Sequence, residues 1–198
     1  MKNIILLLVM LCMATTSFCQ ETGKGKEAQK EYFRFYYVLP GAVGNNVIAK
    51  ANKGKLGLGV AVTMFADNNY HAMLGFEAAQ YNITDVSLAG NAEKTYISNV
   101  YAQFLYKIQT GFERVAVNPK FAFGYVTIGQ RGEPGSMGRQ YGLSLSPGID
   151  ADFRLTGPLR LFVGINYTLS FPETHTKSDY KNFYGTIQQL NISIGLKI

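Results

Sequence analysis

The stretch YGTIQQLNISIGLKI, Tyr184–Ile198, decides the fold class. One face carries Tyr184, Thr186, Gln188, Leu190, Ile192, Ile194, Leu196 and Ile198. The other carries Gly185, Ile187, Gln189, Asn191, Ser193, Gly195 and Lys197. Strand side chains alternate between faces, whereas a helix repeats every ~3.6 residues, so the pattern predicts a strand. Its apolar face runs to the last residue with no polar tail. The edge of a soluble sheet is normally blunted or covered. A membrane barrel instead needs such a strand to close against its first and leave no edge. The expectation is a closing strand with its partners upstream.

Seven further alternating segments precede it: about Tyr32–Val43, Leu56–Ala66, about Tyr70–Asn82, Tyr96–Gln109, about Arg114–Ile128, Tyr141–Arg154 and Leu159–Phe171. The last of these is the clearest, setting Leu159, Leu161, Val163, Ile165, Tyr167, Leu169 and Phe171 against Arg160, Phe162, Gly164, Asn166, Thr168 and Ser170. In the second, strict alternation puts Phe65 on the less apolar face with Gly57 and Gly59. In the fifth, Pro119 removes a ladder donor, so a bulge or a strand start is expected there.

Short turns follow the second, fourth and sixth segments: Asp67-Asn68-Asn69, the region of Thr110-Gly111, and Thr156-Gly157-Pro158, all turn-forming residues. Longer polar loops follow the odd segments, at about Gly44–Lys55, Ile83–Thr95, Gly129–Gln140 and Pro172–Phe183. An even strand count with long and short loops in turn predicts an all-β, eight-stranded, antiparallel up-and-down transmembrane β-barrel. The short turns and both termini then lie in the periplasm, and four long loops lie outside.

The two faces say which side is wet. A soluble lipocalin-like barrel is apolar inside, and a membrane barrel reverses this. The less apolar face carries Arg34, Glu77, Asn99, Gln103, Lys107, Lys120, Asp150, Asp152, Arg160, Asn166, Gln189, Asn191 and Lys197, while the other has almost no charge. A charge facing lipid near the midplane costs about 2–4 kcal/mol, so the apolar face is expected outside. Eight strands leave a lumen that side chains fill. Glu77, Asp150 and Asp152 are expected to bridge to some of Arg34, Lys107, Lys120 and Arg160 and plug it, because an unpaired buried charge is costly. Tyr96, Tyr106, Tyr167, Phe171 and Tyr184 are candidates for interfacial girdles.

Met1–Gln20 reads MKNIILLLVMLCMATTSFCQ: Lys2, then an apolar run from Ile4 to about Ala14, then small polar residues. That run is shorter than the ~20 residues that span a bilayer, and it predicts a secretory signal peptide over 1–19, cut after Cys19. Residues 20–31 read as a flexible lead-in and 32–198 as the barrel. Cys12 and Cys19 leave with the signal, which excludes disulfides and thiolate chemistry in the mature chain. The formal charge falls from +6 to +5 as Lys2 goes. The cations are scattered singly along an exported chain, which speaks against nucleic-acid binding.

Catalytic patterns are sparse. His71 starts the third segment. His175 lies in the last long loop with Ser178 and Asp179, residue types that a lipid-modifying barrel enzyme would use. A triad needs rigid strands to place it, however, and one loop does not supply them. Asp150 and Asp152 lack a further ligand in sequence, so salt bridging is preferred to metal binding, and no cofactor is expected. The Gly-rich GQRGEPGSMGRQ has no Lys-Ser/Thr pair and no following helix, which argues against a phosphate loop. Its Arg131 and Arg139, with Lys50, Lys53 and Lys55, could touch anionic lipopolysaccharide.

The signal peptide, the eight segments and the closing NISIGLKI resemble the small outer-membrane β-barrels of OmpA/OmpX type, a group labelled porin family. The resemblance implies a Gram-negative cell envelope and placement among outer-membrane lipid and lipopolysaccharide. It also implies that the barrel-assembly machinery reads the last strand through Leu196 and Ile198, with Ile198 standing where the family carries an aromatic. A non-enzymatic structural or interaction protein is expected, monomeric, with its loops open to an extracellular partner. A narrow channel or binding barrel for small solutes, apolar ones included, is the alternative. A lipid-modifying enzyme and a soluble carrier rank below it.

Overall fold

The alternating segments pair as the sequence predicts. The computed structural model describes residues 33–67, 69–89, 92–110, 112, 114–132, 135–174 and 181–198. The signal peptide and lead-in, His175, Ser178 and Asp179 lie outside the described residues. The strands are β1 (Phe33–Val43), β2 (Asn52–Asp67), β3 (Tyr70–Ile83), β4 (Lys94–Tyr106), β5 (Val115–Gly132), β6 (Gly135–Thr156), β7 (Leu159–Pro172) and β8 (Ile187–Lys197). A two-residue piece, Ile108–Gln109, prolongs β4. Each strand is antiparallel to the next, and β8 returns to β1, from Arg34 opposite Lys197 to Val43 opposite Gln188. The sheet is a closed eight-stranded barrel.

The outside of the barrel is apolar. In β1, Phe33, Phe35, Tyr37 and Leu39 are exposed and Arg34, Tyr36 and Val38 are buried. In β8, Leu190, Ile192, Ile194 and Leu196 are each more than 40% exposed, while Asn191, Ser193 and Lys197 are buried. This overturns the soluble-carrier reading, which needs the apolar face inside.

Three local expectations are corrected. The β2–β3 ladder shifts register between Thr63 and Phe65, and the inserted residue turns Phe65 outward to 59% exposure. Pro119 makes neither a bulge nor a strand start. Ile149 pairs with it without interruption on β6. On the β4 side the ladder stops at Leu105 opposite Lys120 and resumes in the same register at Ile108 opposite Val117. The two pairings between them, Tyr106 with Pro119 and Lys107 with Asn118, are missing where the proline lacks its N–H. On the other side the Lys107 amide continues the ladder to β3, donating to the Asn69 carbonyl at 2.8 Å. The third long loop is itself β-structure, since Arg131 pairs with Ser136 and Gly132 with Gly135.

The first long loop is also more than a polar excursion. It contains a short helix, α1 (Val47–Ala51), pinned at both ends. Asn46 caps it, accepting from the Ala49 amide at 3.0 Å and donating to the Val43 carbonyl at 2.7 Å. Asn52 closes the other end through its amide to the Ile48 carbonyl, and the Thr95 hydroxyl donates to Asn52 Oδ1 at 2.7 Å. The apolar face of α1 (Val47, Ile48 and Ala51) is buried against Ala79, Tyr81, Ile97, Val126, Ile128 and Ile187 from the inner wall. Two further turns of helix, α2 (Val86–Ala89) and α3 (Lys181–Gly185), belong to the same end. Tyr184 sits in α3 and packs against this apolar cap, so it is not part of β8.

Candidate functional site: the charged lumen

Asp150 is the hub of the interior. It stands on β6, opposite Asn118 of β5 and Gly164 of β7. A Cβ on Gly164 would overlap the Asp150 carboxylate, so the bare backbone there makes the room it occupies. Three cations converge on it. Arg34 Nη1 donates to Oδ2 at 2.9 Å, Lys120 Nζ lies 2.5 Å from Oδ1, and Lys197 Nζ lies 3.7 Å from Oδ2. Lys197 also holds Asp152 Oδ1 at 2.5 Å.

The register explains why the acids are needed. Arg34 and Lys197 face each other across β1 and β8, and Lys197 faces Arg160 across β8 and β7. Like charges directly opposite repel, and Asp150 and Asp152 sit where they can offset it. The Phe162 ring fills the remaining space, with Arg34 Cζ 5.6 Å and Lys197 Nζ 4.7 Å from its centroid, inside the ~6 Å reach of a cation–π contact.

Glu77 lies deeper, on β3. Its carboxylate accepts from the Tyr36 hydroxyl and from Asn191 Nδ2, each at 3.3 Å. The hydroxyls of Tyr36 and Tyr101 are 2.6 Å apart. Both rings lie across glycines: a Cβ on Gly59 would overlap Tyr36, and one on Gly75 would overlap Tyr101. Beyond them Gln189 donates to the Tyr81 hydroxyl, beneath the apolar cap. Between the ion cluster and the cap is a cavity of about 40 Å³, lined among others by Glu77, Asn99, Tyr101, Asn166, Asn191 and Ser193. At ~10–15 Å³ per water centre it has room for about three waters, and Asn191 Oδ1 and Ser193 Oγ have unmet hydrogen-bonding capacity there.

Of the residues singled out from the sequence, Arg34, Lys120 and Asp150 meet in one cluster, and Asp152 joins it through Lys197. Glu77 is held by neutral donors, with no cation within ion-pair distance among the described residues. Lys107 and Arg160 are buried on the inward face, nearer the short turns, as is His71. Leu196 and Ile198 face outward, 42% and 53% exposed. Lys197 stands outside the pairing set expected from the sequence. Its position on the polar face of the quoted strand was the available signal, but its role depends on β1 and β8 meeting from opposite ends of the chain. The tyrosines and Phe162 were missed because aromatics on a polar face carry no charge pattern.

A closed eight-stranded barrel, apolar outside and charged inside, has the fold of the small outer-membrane barrels. Neisserial surface protein A superimposes with a TM-score of 0.65 at 12% identity, covering 84% of this chain and 95% of its own. Ail, the attachment invasion locus protein of Yersinia pestis, matches with a TM-score of 0.46 at 12% identity, covering 85% of this chain and 97% of its own. A major outer membrane protein from Thermus thermophilus gives 0.46 at 16% identity, over 84% of this chain and 99% of its own. No known family profile matches the chain, and no curated protein matches it by sequence.

Proposed function

We propose that this chain is exported by a cleaved signal peptide and sits as a monomer in the outer membrane, a non-enzymatic barrel that acts through its loops. The observation that carries the reading is the filled interior. Arg34, Lys120 and Lys197 close on Asp150 across the lumen, and the buried face of α1 closes the loop end. Each is held by local contacts, so a through-path would require separating charges that pair across the lumen. With the lumen plugged, the four loops are the surface left for an extracellular partner. Leu196 and Ile198, on the outward face, remain the residues for the barrel-assembly machinery. The test is a planar lipid bilayer. The wild-type barrel is expected to show no steady conductance, and a stable open level would overturn the plugged reading. A second reading, a binding barrel for a small solute, draws on the cavity beside Glu77 and predicts that solute uptake depends on that side chain.

A further inference from the structure

The outer wall at the loop end carries cations in an arrangement that folding alone would disfavour. Lys94 of β4 and Arg131 of β5 are directly opposite one another. Both are exposed, and the buried neighbours Thr95 and Ile97 fix Lys94 to the outer face. Such a like-charged pair costs roughly 0.2–1 kcal/mol. Arg139 joins them from β6. It pairs with Gly129, whose other neighbour is Tyr96, and its Cγ lies 3.9 Å from where a Gly129 Cβ would stand. The arginine stem therefore stands next to Gly129 on the outside of the wall, with Tyr96 on the strand beyond. Glu93, the acid next to Lys94 in the chain, lies just before β4 and is itself exposed. Among the described residues none of the three cations forms an ion pair. One step nearer the turns on the same strands stand the exposed Tyr96 and Tyr141, amphipathic rings of the kind that settle at headgroup depth.

We propose that Lys94, Arg131 and Arg139 form a binding surface for the phosphate of a lipid headgroup in the leaflet at the loop end. This rests on the membrane reading given under Proposed function. A phosphate dianion between the three removes the repulsion, and two planar guanidinium forks match its oxygens. Tyr96 and Tyr141 would lie against the upper acyl chains.

The full chain, refolded in phosphatidylcholine vesicles containing diphosphorylated lipid A, is extracted in mild detergent, and retained lipid is counted by native mass spectrometry. Retention is expected with lipid A and lost with its dephosphorylated form. Lys94→Gln and Arg131→Gln, both exposed, should each weaken retention by about tenfold, the worth of one charge-assisted hydrogen bond. Equal retention of dephosphorylated lipid, unchanged retention by both variants, or displacement of lipid A by inorganic phosphate would each overturn the inference. Heat-modifiable gel mobility is read on the same samples. A barrel that shifts on boiling yet shows no phosphate-dependent retention defeats this inference alone. A wild-type chain with no shift defeats the membrane reading beneath it.

Discussion

Asp150 has no exposed surface and three cations around it, so a change that keeps its shape and removes its charge isolates the electrostatics. Asp150→Asn leaves Arg34, Lys120 and Lys197 facing a neutral amide in a space closed to bulk water. Losing one partner of a buried ion pair costs about 3–5 kcal/mol, because the remaining charges stay desolvated. Asp150→Asn should therefore lower the urea midpoint of the refolded barrel in detergent by that equivalent. Adding Lys120→Met should recover part of the loss, since the cation whose ion pair was with Asp150 is then gone. A single variant as stable as wild type would mean that the cluster does not hold the lumen. Asp150 also shows how a residue's role depends on its neighbours: Gly164 opposite it is what permits the carboxylate to stand there.

At the scale of elements, α1 is the part of the loops with a definite fold, and its two asparagines are why. Asn46 is 1% exposed and serves both as a cap and as a tie to β1. Asn46→Ala should cost about 0.5–2 kcal/mol, the usual worth of an N-cap. Hydrogen exchange at Ala49 and Lys50 should quicken while the strands stay protected; slowed or unchanged exchange would mean α1 is held by burial alone. This element also marks the limit of what could be read from the chain. Period-two alternation needs only local order, so all eight strands were legible, and so was the wet side of the wall. The helix in NNVIAKAN was not, because five residues are too few to show a helical period and its apolar face is defined only by an inner wall assembled from distant strands. Phe65 failed for a related reason. A bulge is decided by the partner strand, and nothing in the β2 sequence announces it. Pro119 was visible as a missing donor, but the neighbour that would lose the rung depends on a register known only after closure. The ion cluster was half legible: the charges were on the right face, and their pairing had to wait for the barrel to close.

For the whole molecule, the question is whether the apolar wall has the height of a bilayer, and β4 supplies a ruler. Its outward side chains run Tyr96, Ser98, Val100, Ala102, Phe104 and Tyr106, without a charge. The ten steps from Tyr96 to Tyr106, at about 3.4 Å each, make about 34 Å along the strand. A barrel strand tilted by roughly 35–45° projects that to about 25 Å, the height of the apolar band in outer-membrane barrels. Aromatics close both ends: Tyr96 and Tyr141 toward the loops, and Tyr70 and Tyr106 toward the turns, their rings 4.9 Å apart. If this band meets lipid, the cost of an added charge must depend on depth. Val100, 59% exposed and near the middle, should lose about 2–4 kcal/mol as Val100→Arg in phospholipid vesicles, whereas Tyr96→Arg at the rim should lose only about 0–1 kcal/mol beyond its lost ring contacts. In a water-exposed barrel the order would reverse, because Val100→Arg would replace an exposed apolar side chain by a solvated one. Urea titrations of the two variants in vesicles read the difference directly, and equal losses at both depths would remove the bilayer from the account of this wall.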